Sequence, residues 1–87
     1  MKLIFSSKSW DEYLYWQLTD KTILKRINTL IKEIQRAPYD GIGKPEPLKY
    51  SLTSYWSRRI NDEHRLVYKI SDEHLFIAQL RFTYDRF

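Results

Sequence analysis

The N-terminal residues have the pattern of a short strand followed by a helix. Residues 2–6 (KLIFS), with three consecutive apolar residues, have the length of a short strand. Ser9 and Glu12 then have the spacing of a capping box, in which each side chain bonds the backbone N–H of the other residue. Apolar and aromatic residues follow at helical spacing, so we predict a first helix over about 8–18.

A longer amphipathic helix is predicted next. Its apolar stripe recurs every third or fourth residue and consists of Ile23, Leu24, Ile27, Leu30, Ile31 and Ile34. The pair Thr19-Asp20 can cap its first turn, and Pro38 ends it near Arg36, because the residue before a proline avoids the helical conformation. The lysines and arginines between the apolar positions are typical of a solvated helix surface.

Residues 38–47 (PYDGIGKPEP) predict the one long irregular segment, since they contain both glycines and all three prolines of the chain. Pro45 and Pro47 restrict the backbone on either side of Glu46, and such a stiff loop holds side chains in place at low entropic cost. The pattern is equally compatible with a plain connection between a helix and a strand.

From residue 48 onward, apolar positions alternate with polar ones, which is typical of strands. The predicted strands are 48–52, 55–60, 64–70 and 75–82, with turns at 61–63 and 71–74. The order β-α-α-β-β-β predicts an α+β fold in which two N-terminal helices pack on one face of a small antiparallel sheet.

Alternation also predicts the two faces of this sheet. The apolar face, expected to form the core under the helices, contains Trp56, Ile60, Leu66, Tyr68, Ile70, Phe76, Ala78, Leu80 and Phe82. The polar face contains Tyr55, Ser57, Arg59, Arg65, Val67, Lys69, Gln79, Arg81 and Thr83. His64 falls on the core side, where we expect a hydrogen-bonded structural role, and His74 lies in a turn.

A three-residue turn at 61–63 sets Arg59 directly opposite Arg65 on the polar face and keeps the apolar residues together. Two guanidinium groups in this arrangement repel each other, which is tolerated if both are solvated and useful if an anion lies between them. Guanidinium groups match phosphate oxygens two at a time. The sequence therefore indicates either an anion site or a hydrated sheet face.

Composition limits the class of protein. The 87 residues are expected to form a single domain, 1–87, and the absence of cysteine excludes disulfides, thiolate zinc sites and Cys nucleophiles. The absence of an apolar run of about 20 residues and of a secretory signal predicts a cytoplasmic protein without a membrane partner. The net charge of +4, spread evenly along the chain, fits an RNA or DNA partner once folding assembles the basic residues into one surface.

The charged residues are of the types that cleave RNA without a metal or another cofactor. The 2′-hydroxyl attacks the adjacent phosphorus, and the reaction needs a base, cations for the charge on the phosphate and an acid for the 5′-oxygen. Glu46 is the candidate base, and the candidate cations are Arg59, Arg65 and Lys49. Tyr84 can stack on a nucleobase or donate a hydrogen bond.

Four segments resemble the YoeB-type toxins of the RelE/ParE superfamily: SWDEYLYWQ (9–17), GKPEPLKY (43–50), YWSRRI (55–60) and EHRLVY (63–68). The similarity runs without gaps from Met1 to Tyr84, so residues 85–87 are interpreted as a C-terminal extension. The resemblance implies a ribosome-dependent mRNA interferase, the toxin of a type II toxin–antitoxin pair, that acts in the A site of the 70S ribosome. It also implies a homodimer and a YefM-like antitoxin whose C-terminal segment wraps the toxin.

The resemblance implies roles for individual residues. Glu46 is implied as the general base, and Lys49 as a contact to phosphate. Arg59 and Arg65 are implied to hold the scissile phosphate and to stabilise its transition state. Two further candidates for contacts with phosphate or RNA are Lys44 and Arg81.

The terminal His-Tyr pair expected of the family matches Thr83-Tyr84. Thr83 stands where the expected general acid is a histidine, and its hydroxyl cannot deliver a proton as an imidazolium does. The resemblance thus implies a YoeB-type scaffold with weakened cleavage. One alternative is a catalytically impaired module that binds the antitoxin and helps repress their shared operon. Another is a ParE-like toxin of DNA gyrase, against which Glu46, Arg59 and Arg65 argue.

Overall fold

Within residues 1–83, which the computed structural model describes, two helices pack on one face of a five-stranded sheet. The elements in chain order are β1 (Lys2–Phe5), α1 (Ser7–Thr19), α2 (Lys21–Arg36), β2 (Glu46–Pro47), a 3₁₀ turn (Tyr50–Leu52), β3 (Trp56–Arg59), β4 (Arg65–Ser71) and β5 (His74–Gln79). The strand order is β1-β5-β4-β3-β2. Neighbours among β2, β3, β4 and β5 are antiparallel, and β1 lies parallel to β5 at one edge. The predicted α+β fold is therefore confirmed, with a mixed rather than a purely antiparallel sheet.

Both helices begin at capping residues, and the cap of α1 lies earlier in the chain than predicted. α2 starts after Asp20, as predicted, and the carboxylate of Asp20 accepts from two amides of the first turn at 3.0 and 3.1 Å. α1 starts after Ser6, whose hydroxyl accepts from the N–H of Ser9 at 3.0 Å. The capping box at Ser9 and Glu12 is therefore wrong, because the helix begins earlier. Ser9 is buried inside α1, and Glu12 accepts from a backbone amide just beyond β5 at 2.8 Å.

The tight turn between β4 and β5 decides which side of β5 faces the core. Residues 72–73 have φ values of 51° and 61°, as in a type I′ hairpin turn. Leu75 and Ile77 are fully buried against the helices, whereas Phe76 and Ala78, which were predicted for the core, are only half-buried. The prediction is wrong because residues paired across strands share a face, and this turn pairs Leu75 with a core-facing residue of β4.

A two-residue strand replaces the strand expected at 48–52. β2 pairs with β3, with Glu46 opposite Ser57, and the chain then enters the 3₁₀ turn. Tyr50 has a φ of 61°, which is incompatible with a strand. The strand lies instead within the segment expected to be irregular, and it places Glu46 at the edge of the sheet.

The core lies between the helices and the sheet. It is formed by Trp16, Ile27, Leu30, Ile31, Ile34, Ile60, Leu66, Tyr68, Leu75, Ile77 and Leu80. Burying one large apolar side chain contributes about 1.5–3 kcal/mol relative to leaving it exposed, so this cluster is what holds α1 and α2 on the sheet. Neither α1 nor α2 has the length and apolar character that a bilayer span requires.

Candidate active site

Glu46 and Arg65 form an ion pair where β2, β3 and β4 lie side by side. A terminal guanidinium nitrogen of Arg65 lies 2.9 Å from Oε1 of Glu46, and Nε donates to the hydroxyl of Ser57 at 3.0 Å. The two charged residues are 19 positions apart in the chain, and the pairing of Glu46 with Ser57 is what brings them together. The sheet thus places the predicted base in contact with one of the predicted cations.

Within this ion pair, the side chain of the acid is more exposed to solvent than that of the arginine. The side chain of Glu46 is 48% exposed, and that of Arg65 is 14% exposed. Because water screens the attraction, such a pair contributes only about 0–1 kcal/mol to stability. Its main effect is orientation, since Ser57 and Glu46 together hold the plane of the guanidinium while the carboxylate stays accessible to an incoming hydroxyl group.

Arg59 lies directly opposite Arg65 in the pairing of β3 with β4, as predicted. Directly opposed residues of an antiparallel pair have Cα atoms about 4.5–5.5 Å apart. The backbone of Arg59 is held on both sides, by the carbonyl of Gly43 at 2.7 Å and by the side chain of Arg26 at 3.2 Å, whereas the residue itself stays exposed. Alternation sets Arg59 on the same face as Ser57. Two arginines at directly opposed positions are suited to bind one phosphate group together.

Arg58, which the sequence analysis did not single out, anchors the loop that leads to β2. Its side chain is completely buried. The guanidinium donates to the carbonyl oxygens of Ala37, Asp40 and Ile42. A buried charge is strongly unfavourable without such partners, so the loop and Arg58 hold each other in place. The alternation of the strand could have predicted this burial, because Arg58 lies two residues from each of the core-facing residues Trp56 and Ile60 and therefore points to the same side.

The other predicted cations lie in different surroundings. Lys44 and Lys49 are exposed on either side of Glu46, and the φ of 49° at Lys44 bends the backbone before β2. The guanidinium carbon of Arg81 lies 3.8 Å from the centre of the Tyr15 ring on α1. The predicted position of Arg81 on the polar face is therefore wrong, because β5 ends two residues earlier and the alternation does not extend beyond it.

Thr83 follows a tightly held turn after β5. Thr83 is half-buried, and its carbonyl oxygen accepts from the side chain of Gln79 at 3.0 Å. The carbonyl oxygen of Phe82 accepts from the backbone N–H of Arg65 at 2.9 Å. The segment that carries Thr83 is thus bonded to the strand that carries Arg65. Tyr84, the other predicted C-terminal site residue, lies outside the described residues.

His64 has the structural role that the sequence predicted. It is 6% exposed, and its ring lies edge-on to that of Trp16, with ring centres 4.9 Å apart. Nδ1 accepts from the N–H of Phe82 at 2.7 Å. Burial lowers the pKa of His64 below its ordinary value of 6.5, with Glu63 opposing this shift and Arg81 reinforcing it. The neutral form of the ring is therefore the one that matches both the hydrogen bond at Nδ1 and the burial of His64.

Solved structures of YoeB proteins superpose on this chain. The structure of a YoeB/ParE toxin from Agrobacterium tumefaciens superposes with a TM-score of 0.94 at 49% identity, over 97% of this chain and 100% of that one. A YoeB dimer from Staphylococcus aureus superposes with a TM-score of 0.91 at 48% identity, over 97% of this chain and 98% of that one. The YoeB-YefM complex from the same organism gives a TM-score of 0.90 at 47% identity, with the same coverage of 97% and 98%.

Sequence comparison narrows this class to one family. Residues 5–84 match the family described as YoeB-like toxin of bacterial type II toxin-antitoxin system. Toxin YoeB of Synechocystis sp. is 62% identical over 86 residues, which cover 99% of this chain and 100% of the relative. Toxin YoeB of Escherichia coli K12 is 61% identical over 84 residues, 97% of this chain and 100% of the relative. The chain belongs to the family of YoeB-like toxins, as the resemblance predicted.

Proposed function

We propose that this protein is a ribosome-dependent endonuclease, the toxin of its toxin–antitoxin pair, which cleaves mRNA in the A site of the 70S ribosome. The observation that carries the proposal is the ion pair between Glu46 and Arg65. Arg59 lies directly opposite Arg65 on the neighbouring strand. One carboxylate and two guanidinium groups meet two of the needs of RNA cleavage by its own 2′-hydroxyl, the base and the cations.

In the proposed reaction, Glu46 accepts the proton of the 2′-hydroxyl. The 2′-oxygen forms a bond to phosphorus while the bond from phosphorus to the 5′-oxygen breaks. The products are a 2′,3′-cyclic phosphate and, once the leaving oxygen gains a proton, a 5′-hydroxyl. Arg59 and Arg65 stabilise the negative charge on the non-bridging oxygens, and Lys44 and Lys49 contact flanking phosphates. The reaction is balanced without a metal or another cofactor.

The proposed reaction also needs a proton for the leaving 5′-oxygen. Thr83 occupies the position where the family resemblance implies a histidine, and a threonine hydroxyl is not an acid at neutral pH. General acid catalysis typically contributes about 10²–10⁴-fold. We therefore propose that cleavage is attenuated by about this factor, with water as the proton donor and with Tyr84 stacking on a nucleobase or donating a hydrogen bond.

The proposed partners are a YefM-like antitoxin and a second copy of the toxin. The S. aureus relative forms a dimer and a complex with YefM. Since its structure covers 97% of this chain at 48% identity, we propose the same assemblies here. Because the proposed substrates are ribosomes and mRNA, we propose that the protein acts in the cytoplasm.

Single-turnover cleavage of mRNA on programmed ribosomes tests the proposal. The unmodified protein is expected to cleave slowly and only when ribosomes are present, and Arg65→Ala is expected to lower the rate by about 10²-fold or more. Arg36→Ala is the matched control, because Arg36 is an exposed arginine at the end of α2, paired only with Glu33 among the ion pairs of residues 1–83. Equal rates for Arg65→Ala and the unmodified protein would contradict the proposal.

Thr83 favours a second candidate function, in which the protein binds its antitoxin and helps repress the operon without cutting RNA. Both functions predict antitoxin binding, so a binding experiment does not separate them. The cleavage experiment does. If neither the unmodified protein nor Thr83→His cleaves mRNA on programmed ribosomes, the binding module is the function that remains.

A further inference from the structure

Phe82 has a left-handed backbone conformation, with a φ of 65°, immediately before Thr83. A residue with a Cβ atom is strained in this region, because Cβ approaches the following carbonyl oxygen. Such strain persists only where the surrounding structure imposes it, and it is concentrated at functional sites. The contacts of Phe82 therefore identify the groups that impose this conformation.

Hydrogen bonds hold the backbone of Phe82 on both of its sides. The N–H of Phe82 donates to Nδ1 of His64 at 2.7 Å. Its carbonyl oxygen accepts from the N–H of Arg65 at 2.9 Å and from Nε2 of Gln79 at 3.3 Å. The same nitrogen of Gln79 donates to the carbonyl oxygen of Thr83 at 3.0 Å. Neighbouring strands, β4 and β5, thus set the path of the chain from Phe82 to Thr83.

His64 is the side chain that receives the N–H of Phe82, and its own position is well determined. The ring packs edge-on against Trp16, and Nδ1 accepts a hydrogen bond only if it carries no proton. The ring proton therefore lies on Nε2, which is 3.8 Å from a carboxylate oxygen of Glu63. The charged groups that act on the ring are Glu63 and Arg81.

We propose that His64 is a positioning residue of the active site, which holds Phe82 in the left-handed conformation and so directs residue 83 toward the strand that carries Arg65. This inference rests on the proposed function, in which Arg65 and residue 83 act on the same phosphodiester. Without the bond, Phe82 relaxes to a negative φ, and residue 83 leaves the sheet in another direction. His64 is buried and acts through Phe82, without contact to RNA.

Two substitutions separate the hydrogen bond from the volume of the ring. His64→Leu and His64→Asn introduce side chains of similar size, and only the asparagine keeps an acceptor near the place of Nδ1. Each is combined with Thr83→His, because a misplaced residue 83 costs activity only if that residue is an acid. We expect His64→Leu to remove about tenfold or more of the rate gained by Thr83→His, and His64→Asn to retain the gain to within about threefold. If the role of His64 were merely structural, His64→Leu would lower the cleavage rate by the same factor with and without Thr83→His.

Amide hydrogen exchange of Phe82, measured by NMR, reports on the turn independently of cleavage. We expect about tenfold faster exchange in His64→Leu, and a rate near the unmodified one in His64→Asn. His74→Gln is the matched control, because His74 lies at the opposite end of β5, and it is expected to change neither measurement.

The outcomes of these experiments are distinguishable. If neither the unmodified protein nor Thr83→His cleaves, the proposed function fails, and unchanged exchange of Phe82 in His64→Leu is then what overturns the role of His64. If Thr83→His cleaves fast and His64→Leu keeps the whole gain, the positioning role is overturned while the proposed function stands.

Discussion

At the scale of single residues, Arg65 connects the strands on which the proposed chemistry depends. From β4, its side chain bonds the hydroxyl of Ser57 on β3 and the carboxylate of Glu46 on β2. A planar guanidinium group can serve several acceptors at once in a fixed geometry, which a compact ammonium group cannot. Arg65 is therefore suited to orient the base and to bind phosphate from one position.

Glu46→Gln tests the proposed base. The amide keeps the size of the side chain and an acceptor for Arg65, but it cannot take up a proton at neutral pH. We expect the cleavage rate on programmed ribosomes to fall by about 10²–10⁴-fold, with a change in stability within about 0.5 kcal/mol. Asp40→Asn, an exposed acid of the preceding loop, is the control and should leave both quantities unchanged. Cleavage by Glu46→Gln at the rate of the unmodified protein would remove Glu46 from this role.

Thr83→His tests the missing acid. An imidazolium group can protonate the leaving 5′-oxygen near neutral pH, so we expect single-turnover cleavage to become faster by about 10²-fold or more. Thr83→Asn provides a polar side chain without an acid and should leave the rate near that of the unmodified protein. If the histidine variant is no faster than the asparagine variant, the explanation of attenuation by Thr83 is wrong.

At the scale of elements, β3 presents adjacent arginines to opposite sides of the sheet. Arg58 is buried and binds carbonyl oxygens of the loop before β2, whereas Arg59 is exposed and lies opposite Arg65. One short strand therefore stabilises the loop that leads to Glu46 and also supplies a cation to the candidate site.

A matched pair of substitutions on β3 separates these two roles. Arg58→Leu leaves buried carbonyl oxygens without partners, so we expect the free energy of unfolding to fall by about 3 kcal/mol or more. Arg59→Leu should change it by no more than about 0.5 kcal/mol, while it lowers cleavage by about tenfold or more. Chemical denaturation followed by circular dichroism measures the stability of both variants. Equal destabilisation by the two substitutions would contradict this division of roles.

At the scale of the whole molecule, stability is expected to depend on pH through His64 and Glu12, with opposite signs. Burial lowers the pKa of His64 below 6.5, so the unfolded chain binds a proton there before the folded protein does. The contribution of His64 to the free energy of unfolding is complete above pH 6.5 and is lost as the pH falls toward the lowered pKa. Burial raises the pKa of Glu12 above 4.5, although the hydrogen bond from Leu80 opposes this shift. Protonation of Glu12 therefore favours the folded state as the pH approaches 4.5.

Thermal unfolding between about pH 5 and 8 separates the two groups. The unmodified protein should lose stability as the pH falls below 6.5, because the unfolded state then takes up the proton of His64. His64→Asn should remove this decline, and Glu12→Gln should preserve it. A decline of equal size in His64→Asn would assign the effect to another group.

The sequence by itself determined the elements and relations that depend on neighbouring residues. The apolar stripe and the Asp20 cap predicted α2, and the short turn between β3 and β4 predicted that Arg59 lies opposite Arg65. His64 was assigned a structural role from its parity in the strand pattern. Helical periodicity, capping and turn length act over a few positions, so these predictions needed no knowledge of the rest of the chain.

Only the tertiary structure decided the contacts between distant parts of the chain. The contact of Glu46 with Arg65 depends on a two-residue strand inside a segment that looked irregular, and the burial of Arg58 depends on a loop that supplies carbonyl oxygens. The face of β5 and the turn at Phe82 depend on cross-strand pairing and on side chains from other strands. A shift of one residue in the turn before β5 reverses the faces of that strand. Because residues 75–78 are apolar at both parities, alternation within β5 does not show which register is adopted.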